Sequence, residues 1–233
     1  MKLDNATVLI TGANRGIGLA FAREALQRGA RRVYAGARDP ASVTLAGVEP
    51  VRLDVTSPED VAAAARRLGD VTLLINNAGV AELGPFLAED GEASARRQME
   101  VNYYGPLRLA RAFAPVLAAN GGGGLLNVLS VASWVHGMDL AVYGATKAAA
   151  WALTNGLRHE LRAQGTQVLA LHMGFVDTDL VHAVQAPKSR PEDIVARALD
   201  ALESGAEEVL ADEFTHQVKQ GLSAERGIYL QPL

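Results

Sequence analysis

Apolar residues along the chain follow two rhythms that take turns. Short runs rich in apolar and β-branched side chains recur at residues 7–10, 32–37, 50–53, 71–75, 125–129, 166–171 and 208–211, and each reads as a strand. The run at 71–75 is unbroken, which suits a central parallel strand buried on both faces. Between the runs the spacing becomes helical: Ile17, Leu19, Ala20, Phe21, Ala22, Ala25 and Leu26 recur along one helix after the first strand. Ser57-Pro58-Glu59-Asp60 makes a helix start, with a capping hydroxyl, proline in the first position and acids facing the dipole. That helix is predicted to run to about Leu68. Further helices are predicted over 93–119, from Tyr143 onward, over 191–204, and from an Asp212 cap to about Leu222. The connection at 40–49 leaves room only for a brief helix, residues 80–91 read as irregular around Pro85 and Phe86, and glycines 121–124 form a loop.

Strand and helix alternate throughout, and right-handed crossovers between such units give a parallel sheet with helices on both faces. The expectation is a Rossmann-type, doubly wound α/β fold. No repeat or linker breaks the alternation, so one domain is expected over residues 1–233, its first part to about residue 130 binding a cofactor and its second part completing a substrate site.

The first unit says which ligand. Its strand runs into Thr11, Gly12, Gly16 and Gly18 and then into a helix, a turn that lets backbone approach a pyrophosphate and aims the helix's free N–H groups and dipole at its charge. A dinucleotide is the natural ligand. No G-K-[ST] follows, which excludes a Walker loop. At the tip of the second strand stand Ala37 and Arg38, and Arg15 lies inside the glycine loop. An acid at that tip suits the ribose of NAD, and a basic residue suits the extra phosphate of NADP. Two arginines converging on one phosphate favour NADP(H), with NAD(H) second; Asp39, the next residue, softens that preference.

Composition narrows the rest. With 233 residues and 49% hydrophobic content, the chain is long enough for one well-buried core. Its net charge of -4 and scattered Lys and Arg recommend neither nucleic acid nor an anionic membrane as partner. Cysteine is absent, so disulfides and thiolate chemistry are excluded. The first strand arrives within a few residues of Met1 with no leader pattern, and no apolar run approaches the ~20 residues of a membrane span, so a soluble cytoplasmic protein is expected.

Tyr143 and Lys147 supply candidate chemistry. Four residues apart on a helix, they share a face, which puts an ammonium near a phenol whose free pKa of ~10 makes it a sluggish catalyst at neutral pH. Ser130 lies thirteen residues before Tyr143 at a strand end, Asn102 sits in Val101-Asn102-Tyr103-Tyr104-Gly105, and Asn76-Asn77-Ala78-Gly79 follows the central strand. Together with the glycine turn, these motifs resemble the classical short-chain dehydrogenases/reductases in correct order over roughly residues 6–180.

The resemblance implies roles. Tyr143 is the general acid that protonates a carbonyl oxygen as hydride arrives, and the base in reverse. Lys147 lowers its pKa and bonds the nicotinamide ribose, Ser130 donates to the substrate oxygen, and Asn102 holds a water that links Lys147 to solvent. NADP(H) is implied against Gly12, Asn14, Arg15, Gly16, Ile17, Gly18, Arg38, Asp54, Val55, Asn77, Ala78 and Gly79, with Gly174, Val176 and Thr178 near the carboxamide; Asp54 reads equally as a cap. The asparagines of the NNAG stretch are implied to tie strands together. Ser133 is a competing hydroxyl without the family spacing. His136, His159 and His172 lack the G-x-S-x-G elbow of a hydrolase, and a zinc site lacks grouped ligands.

The chain departs from the family pattern at Met173, where proline is usual, and in a short lid over 179–189. Val80, Trp134, Val135, Met138, Met173, Phe175, Leu180 and Val184 are the expected substrate wall, with Val181, Ala183 and Ala186 in the lid. Few charges among them suggest an apolar or aromatic ketone or aldehyde, or the matching secondary alcohol. The V-D-G-G segment that many relatives use in tetramers is missing, so a homodimer through the helices of Asn102 and Tyr143 is expected, with a monomer as the alternative. Two rivals stand against this reading. A sugar-nucleotide epimerase or dehydratase would bring a longer C-terminal domain, and a cofactor-binding regulator would normally have lost part of the Asn, Ser, Tyr, Lys set.

Overall fold

The computed structural model describes residues 1–182 and 184–231. In chain order its principal elements are β1 (Thr7–Thr11), α1 (Gly16–Gln27), β2 (Arg32–Ala37), β3 (Glu49–Arg52), α2 (Pro58–Arg67), β4 (Leu73–Asn76), α3 (Gly91–Met99), α4 (Gly105–Ala119), β5 (Gly124–Val128), α5 (Ala141–Glu160), β6 (Gln167–His172), α6 (Pro191–Glu203), β7 (Glu208–Leu210) and α7 (Glu213–Gly221). All strand pairs are parallel, in the order β3-β2-β1-β4-β5-β6-β7. This is the expected doubly wound fold, and its order reverses between β1 and β4.

Period-two alternation sends neighbouring residues of each central strand to opposite faces. Val8, Ile10, Leu73 and Ile75 join Phe21 and Ala25 of α1 and Ile194 and Leu199 of α6 in one core layer. Leu9, Leu74 and Leu125 join Val61 of α2, Leu109 and Phe113 of α4 and Leu157 of α5 in the other. Each fully buried leucine or phenylalanine contributes roughly 1.5–3 kcal/mol relative to exposure. The sheet is therefore clamped from both sides. Pro50 sits in β3, an edge strand, where a missing N–H costs no sheet bond.

Caps fall where the sequence puts them: Ser57 Oγ accepts from Asp60 N at 3.1 Å and Asp212 Oδ1 from Thr215 N at 2.8 Å. One helix differs from expectation. The segment predicted as continuous over 93–119 contains a π-helical turn, Glu100–Tyr104, between α3 and α4. The Cβ of a side chain at Gly105 would come within 2.9 Å of Val55 Cγ2, so glycine lets α4 close against the end of β3. The central strand begins at Leu73 rather than at residue 71.

Candidate active site

The C-terminal ends of β1, β2, β4, β5 and β6 open into one cavity of about 680 Å³ at the point where strand order reverses. Gly12 and Gly16 hold left-handed φ values of 65° and 55°, which a side chain would strain. Gly12, Asn14, Arg15, Gly16 and Ile17 line the cavity. Gly18 does not; a Cβ there would lie 2.2 Å from Gly12 O, so this glycine serves the close packing of α1 against its own turn. The turn is stapled to the loop after β4. Thr11 Oγ1 accepts from Asn77 N at 3.0 Å and Ala78 N at 2.9 Å, and Asn77 Nδ2 donates to Thr11 O at 2.9 Å. Asn76 Nδ2 donates to Asn127 Oδ1 at 2.8 Å and ties β4 to β5.

The two arginines part company. Arg38 is exposed at the tip of β2 and lines the cavity with no carboxylate in ion-pair range among the described residues. Asp39 caps its own turn, its Oδ1 accepting from Ala41 N at 3.0 Å. Arg15, expected beside Arg38, instead meets Asp179 of the lid at 3.0 Å, with both side chains mostly exposed. Asp54 and Val55 line the cavity as expected. Burial works to raise the Asp54 carboxyl, but hydrogen bonds from Thr56 N and Oγ1, at 2.9 and 2.7 Å, with Arg38 and Arg52 nearby, hold it below its ordinary value. Asp54 is thus a turn residue and a wall residue at once.

Ser130, Tyr143 and Lys147 meet on the same cavity wall. Ser130 follows β5 and fixes its own loop, Oγ accepting from Ala132 N at 3.1 Å, while α5 presents Tyr143 and Lys147 one turn apart. Gly144 between them allows the His136 ring to pack on α5, where a Cβ would meet His136 Cδ2 at 2.3 Å. Lys147 is 5% exposed, and its Nζ donates to Val128 O at 2.9 Å and lies 5.7 Å from the Tyr143 ring centroid. Burial lowers the ammonium to about 8. Burial also pushes the Tyr143 phenol up to about 12, with the Ser130 hydroxyl pulling it down. The lowering influence here comes from Ser130, where the resemblance implies Lys147.

Asn102 lies behind the wall, 2% exposed. Its Oδ1 accepts from Val80 N at 2.9 Å, and its Nδ2 donates to Val80 O at 2.8 Å and Thr146 Oγ1 at 2.9 Å. Three hydrogen bonds of its amide join the loop after β4 to α5, and Oδ1 keeps one acceptor position.

The apolar wall is partly as expected. Val80, Val135, Met173, Phe175, Leu180 and Val181 line the cavity, as do Gly79, Gly174, Val176 and Thr178. Four expected residues do not. Trp134 turns away, stacking on His172 with centroids 4.0 Å apart. Met138 projects to solvent, 81% exposed, on a 3-10 turn. Val184 and Ala186 line a separate shallow hollow with Gln185 and Lys188, and Ala183 lies outside the described residues. Phe214, Leu140, His136 and Ser42 line the cavity without having been expected. The signal for Phe214 was available in the Asp212 cap, which starts a helix one residue before it.

Ser133 is buried off the cavity, its hydroxyl without a hydrogen-bond partner among the described residues, so Ser130 is the hydroxyl that faces it. His172 is fully buried rather than near a surface, its Nδ1 3.3 Å from Ser130 O, and burial lowers it to about 4. Among the described residues no group of three His, Asp or Glu side chains could hold a metal ion, and no helix is long and apolar enough to cross a membrane.

Known proteins are similar to this chain over most of its length. A short chain dehydrogenase from Burkholderia cenocepacia J2315, solved in complex with NADP, is 41% identical and superposes with a TM-score of 0.93, covering 97% of this chain and 96% of that one. The 1-deoxy-11-beta-hydroxypentalenate dehydrogenase of Streptomyces exfoliatus is 36% identical over 216 residues, 86% of this chain and 78% of that protein. Galactitol 2-dehydrogenase (L-tagatose-forming) of Cereibacter sphaeroides is 34% identical over 202 residues, 82% of this chain and 78% of that protein. The family model for short chain dehydrogenases matches residues 6–189, a span that takes in the glycine turn, Ser130, Tyr143, Lys147 and the lid. With the reversal point, the stapled turn and the Tyr-Lys pair in one cavity, this chain belongs to the short chain dehydrogenase family of oxidoreductases.

Proposed function

We propose that this oxidoreductase transfers hydride between NADP(H) and a small apolar or aromatic ketone or aldehyde, or the matching secondary alcohol. The observation that carries the proposal is one continuous cavity, with Arg38 and the glycine turn at one end and Ser130, Tyr143 and an apolar wall at the other. The residues fit a dinucleotide. Gly16 leaves a cleft that a Cβ would fill to within 3.3 Å of Thr178, and Arg38 has no carboxylate partner among the described residues, which leaves it for a phosphate. The NADP complex of the Burkholderia relative supports the same choice.

Bound reduced nicotinamide supplies the hydride. Ser130 donates to the carbonyl oxygen and holds it where negative charge develops. Tyr143 then gives its phenolic proton to that oxygen. The Ser130 hydroxyl stays beside the resulting phenolate, and Lys147, whose lowered pKa of about 8 keeps its ammonium charged at neutral pH, stands 5.7 Å from the phenol ring centroid. Above about pH 8 the ammonium discharges, and carbonyl reduction slows. In the reverse direction Tyr143 must first lose its proton, so alcohol oxidation gains from rising pH until Lys147 discharges.

Relatives differ in substrate, a polyol in one and a hydroxypentalenate in another, so the wall of this cavity is the guide. The measurement is NADPH and NADH consumption by the purified protein against aliphatic, aromatic, cyclic and polyhydroxy carbonyls. Turnover of apolar ketones with NADPH is expected, and turnover of the polyhydroxy compounds alone overturns the substrate reading. We also propose a cytoplasmic homodimer joined through α4 and α5; light scattering that gives a stable tetramer overturns the assembly.

A further inference from the structure

Part of the cavity wall comes from α7, after the last strand. Phe214 on α7 lines the cavity with Phe175 and Leu180 and is 50% exposed at its mouth. The root of α7 is fastened to β6, where Ala211 N donates to His172 O at 2.9 Å, and to α6, where Arg197 donates to Ala211 O. Asp212 completes the attachment. Its Oδ1 accepts from Thr215 N and Thr215 Oγ1, both at 2.8 Å, and its Oδ2 accepts from Gly174 N at 2.6 Å. One carboxylate therefore caps α7 and grips the loop that floors the cavity.

Little slack remains between helix and loop. A Cβ on Gly174 would lie 3.3 Å from Phe214 Cδ1 and 3.4 Å from Asp212 Oδ2. Farther along α7, Val218 packs with Val131 and Val135, the apolar residues that follow Ser130. The proline that Met173 replaces would have fixed a backbone angle here; the carboxylate clamp on the next N–H constrains the same loop from outside.

We infer that Phe214 is a specificity-determining residue that limits the size of carbon skeleton admitted beside Ser130 and Tyr143. Asp212 is the positioning residue that holds it there through Gly174. This rests on the carbonyl-reductase reading above and names its substrate class: ketones with one small and one apolar substituent, in preference to ketones with two bulky ones.

The test compares kcat and KM for phenyl methyl ketone and diphenyl ketone in the wild type, Phe214→Ala, Phe214→Leu and Asp212→Asn, with NADPH affinity read separately by nucleotide fluorescence. The wild type is expected to prefer the methyl ketone. Phe214→Ala should raise the diphenyl-to-methyl ratio of kcat/KM about tenfold, the usual scale for reshaping an apolar pocket. Phe214→Leu, which keeps an apolar cover, should fall between. Asp212→Asn has one acceptor oxygen for three donors; it should move the ratio the same way by a smaller factor, with KM rising more than kcat falls. If the wild type reduces the methyl ketone and neither Phe214 variant moves the ratio, this inference fails and the functional reading stands. If the wild type binds NADPH and reduces neither ketone, the substrate reading fails and takes this inference with it. Loss of NADPH binding in Phe214→Ala alone leaves the decision to Phe214→Leu.

Discussion

Beside the glycine turn the cavity wall is largely backbone, whereas beside the lid and α7 it is side chain. At the first end Gly12 and Gly16 hold left-handed angles, Gly18 allows contact at a distance no side chain permits, and the Thr11 and Asn77 side chains each bond the other's main chain. At the second, Phe175 and Leu180 after β6, Val135 after β5 and Phe214 on α7 come from three separate segments, and any apolar residue of similar size would fill much of the same space. The first wall accepts one ligand skeleton and tolerates little change. The second can be rebuilt while the first stays as it is, which is how a polyol dehydrogenase and a hydroxypentalenate dehydrogenase can both be relatives of this chain.

The largest test of this contrast falls between the two walls. Tyr143→Phe should bind NADPH nearly as the wild type does and lose roughly 10²–10⁴-fold in turnover, the usual worth of a positioned acid. Near-normal turnover would remove Tyr143 from the chemistry and pass the proton to another group in the cavity.

Next in size is a pH effect at the buried end of β6, behind the cavity. His172 is fully buried, and its pKa falls from an ordinary 6.5 to about 4. Between those values the unfolded chain takes up a proton that the folded chain refuses. Stability is therefore full above about pH 6.5 and falls by ~3 kcal/mol as pH drops toward 4. Denaturant titrations across that range should show the slope, and His172→Gln should flatten it; an unchanged slope would assign the loss to other groups.

Arg38→Ala probes the first wall alone. NADPH binding should weaken by ~1.5–3 kcal/mol, the range for a charged hydrogen bond, with NADH almost unaffected. Equal losses by titration calorimetry would give Arg38 a structural role. The smallest effect belongs to the Arg15–Asp179 pair that crosses the cavity mouth. Both partners are exposed, so Asp179→Asn should change stability by no more than about 0.5 kcal/mol. A loss several times larger would mean that the lid depends on this ion pair.

How much of this could be read from the sequence follows the same division. The strands, the caps at Ser57 and Asp212 and the glycine turn were legible because backbone geometry restricts which residues can occupy those places. The π-helical turn around Asn102 was not, since one extra residue in a helical turn leaves no mark in apolar spacing. Trp134, Met138 and Val184 were misplaced for a different reason. Apolar character says that a side chain seeks cover without saying which cover, and Trp134 found His172. Phe214 went unseen because it enters the cavity from beyond β7, far in sequence from the lid it faces.

The proline of β3 has a consequence beyond its own strand. Leu53 N donates inward to Ala37 O, so the alternation along β3 points the nitrogen of residue 50 outward, and proline has no hydrogen to offer there. The adjacent outward donor belongs to Arg52, whose guanidinium lies 3.5 Å from Asp60. An approaching strand would meet a gap and then a charge, the kind of guard that keeps sheet edges from templating fibrils. At the opposite border β7 is three residues long. The molecule thus discourages growth by strand addition at both ends of its sheet and leaves the outer surfaces of its helices as the ground on which copies can meet.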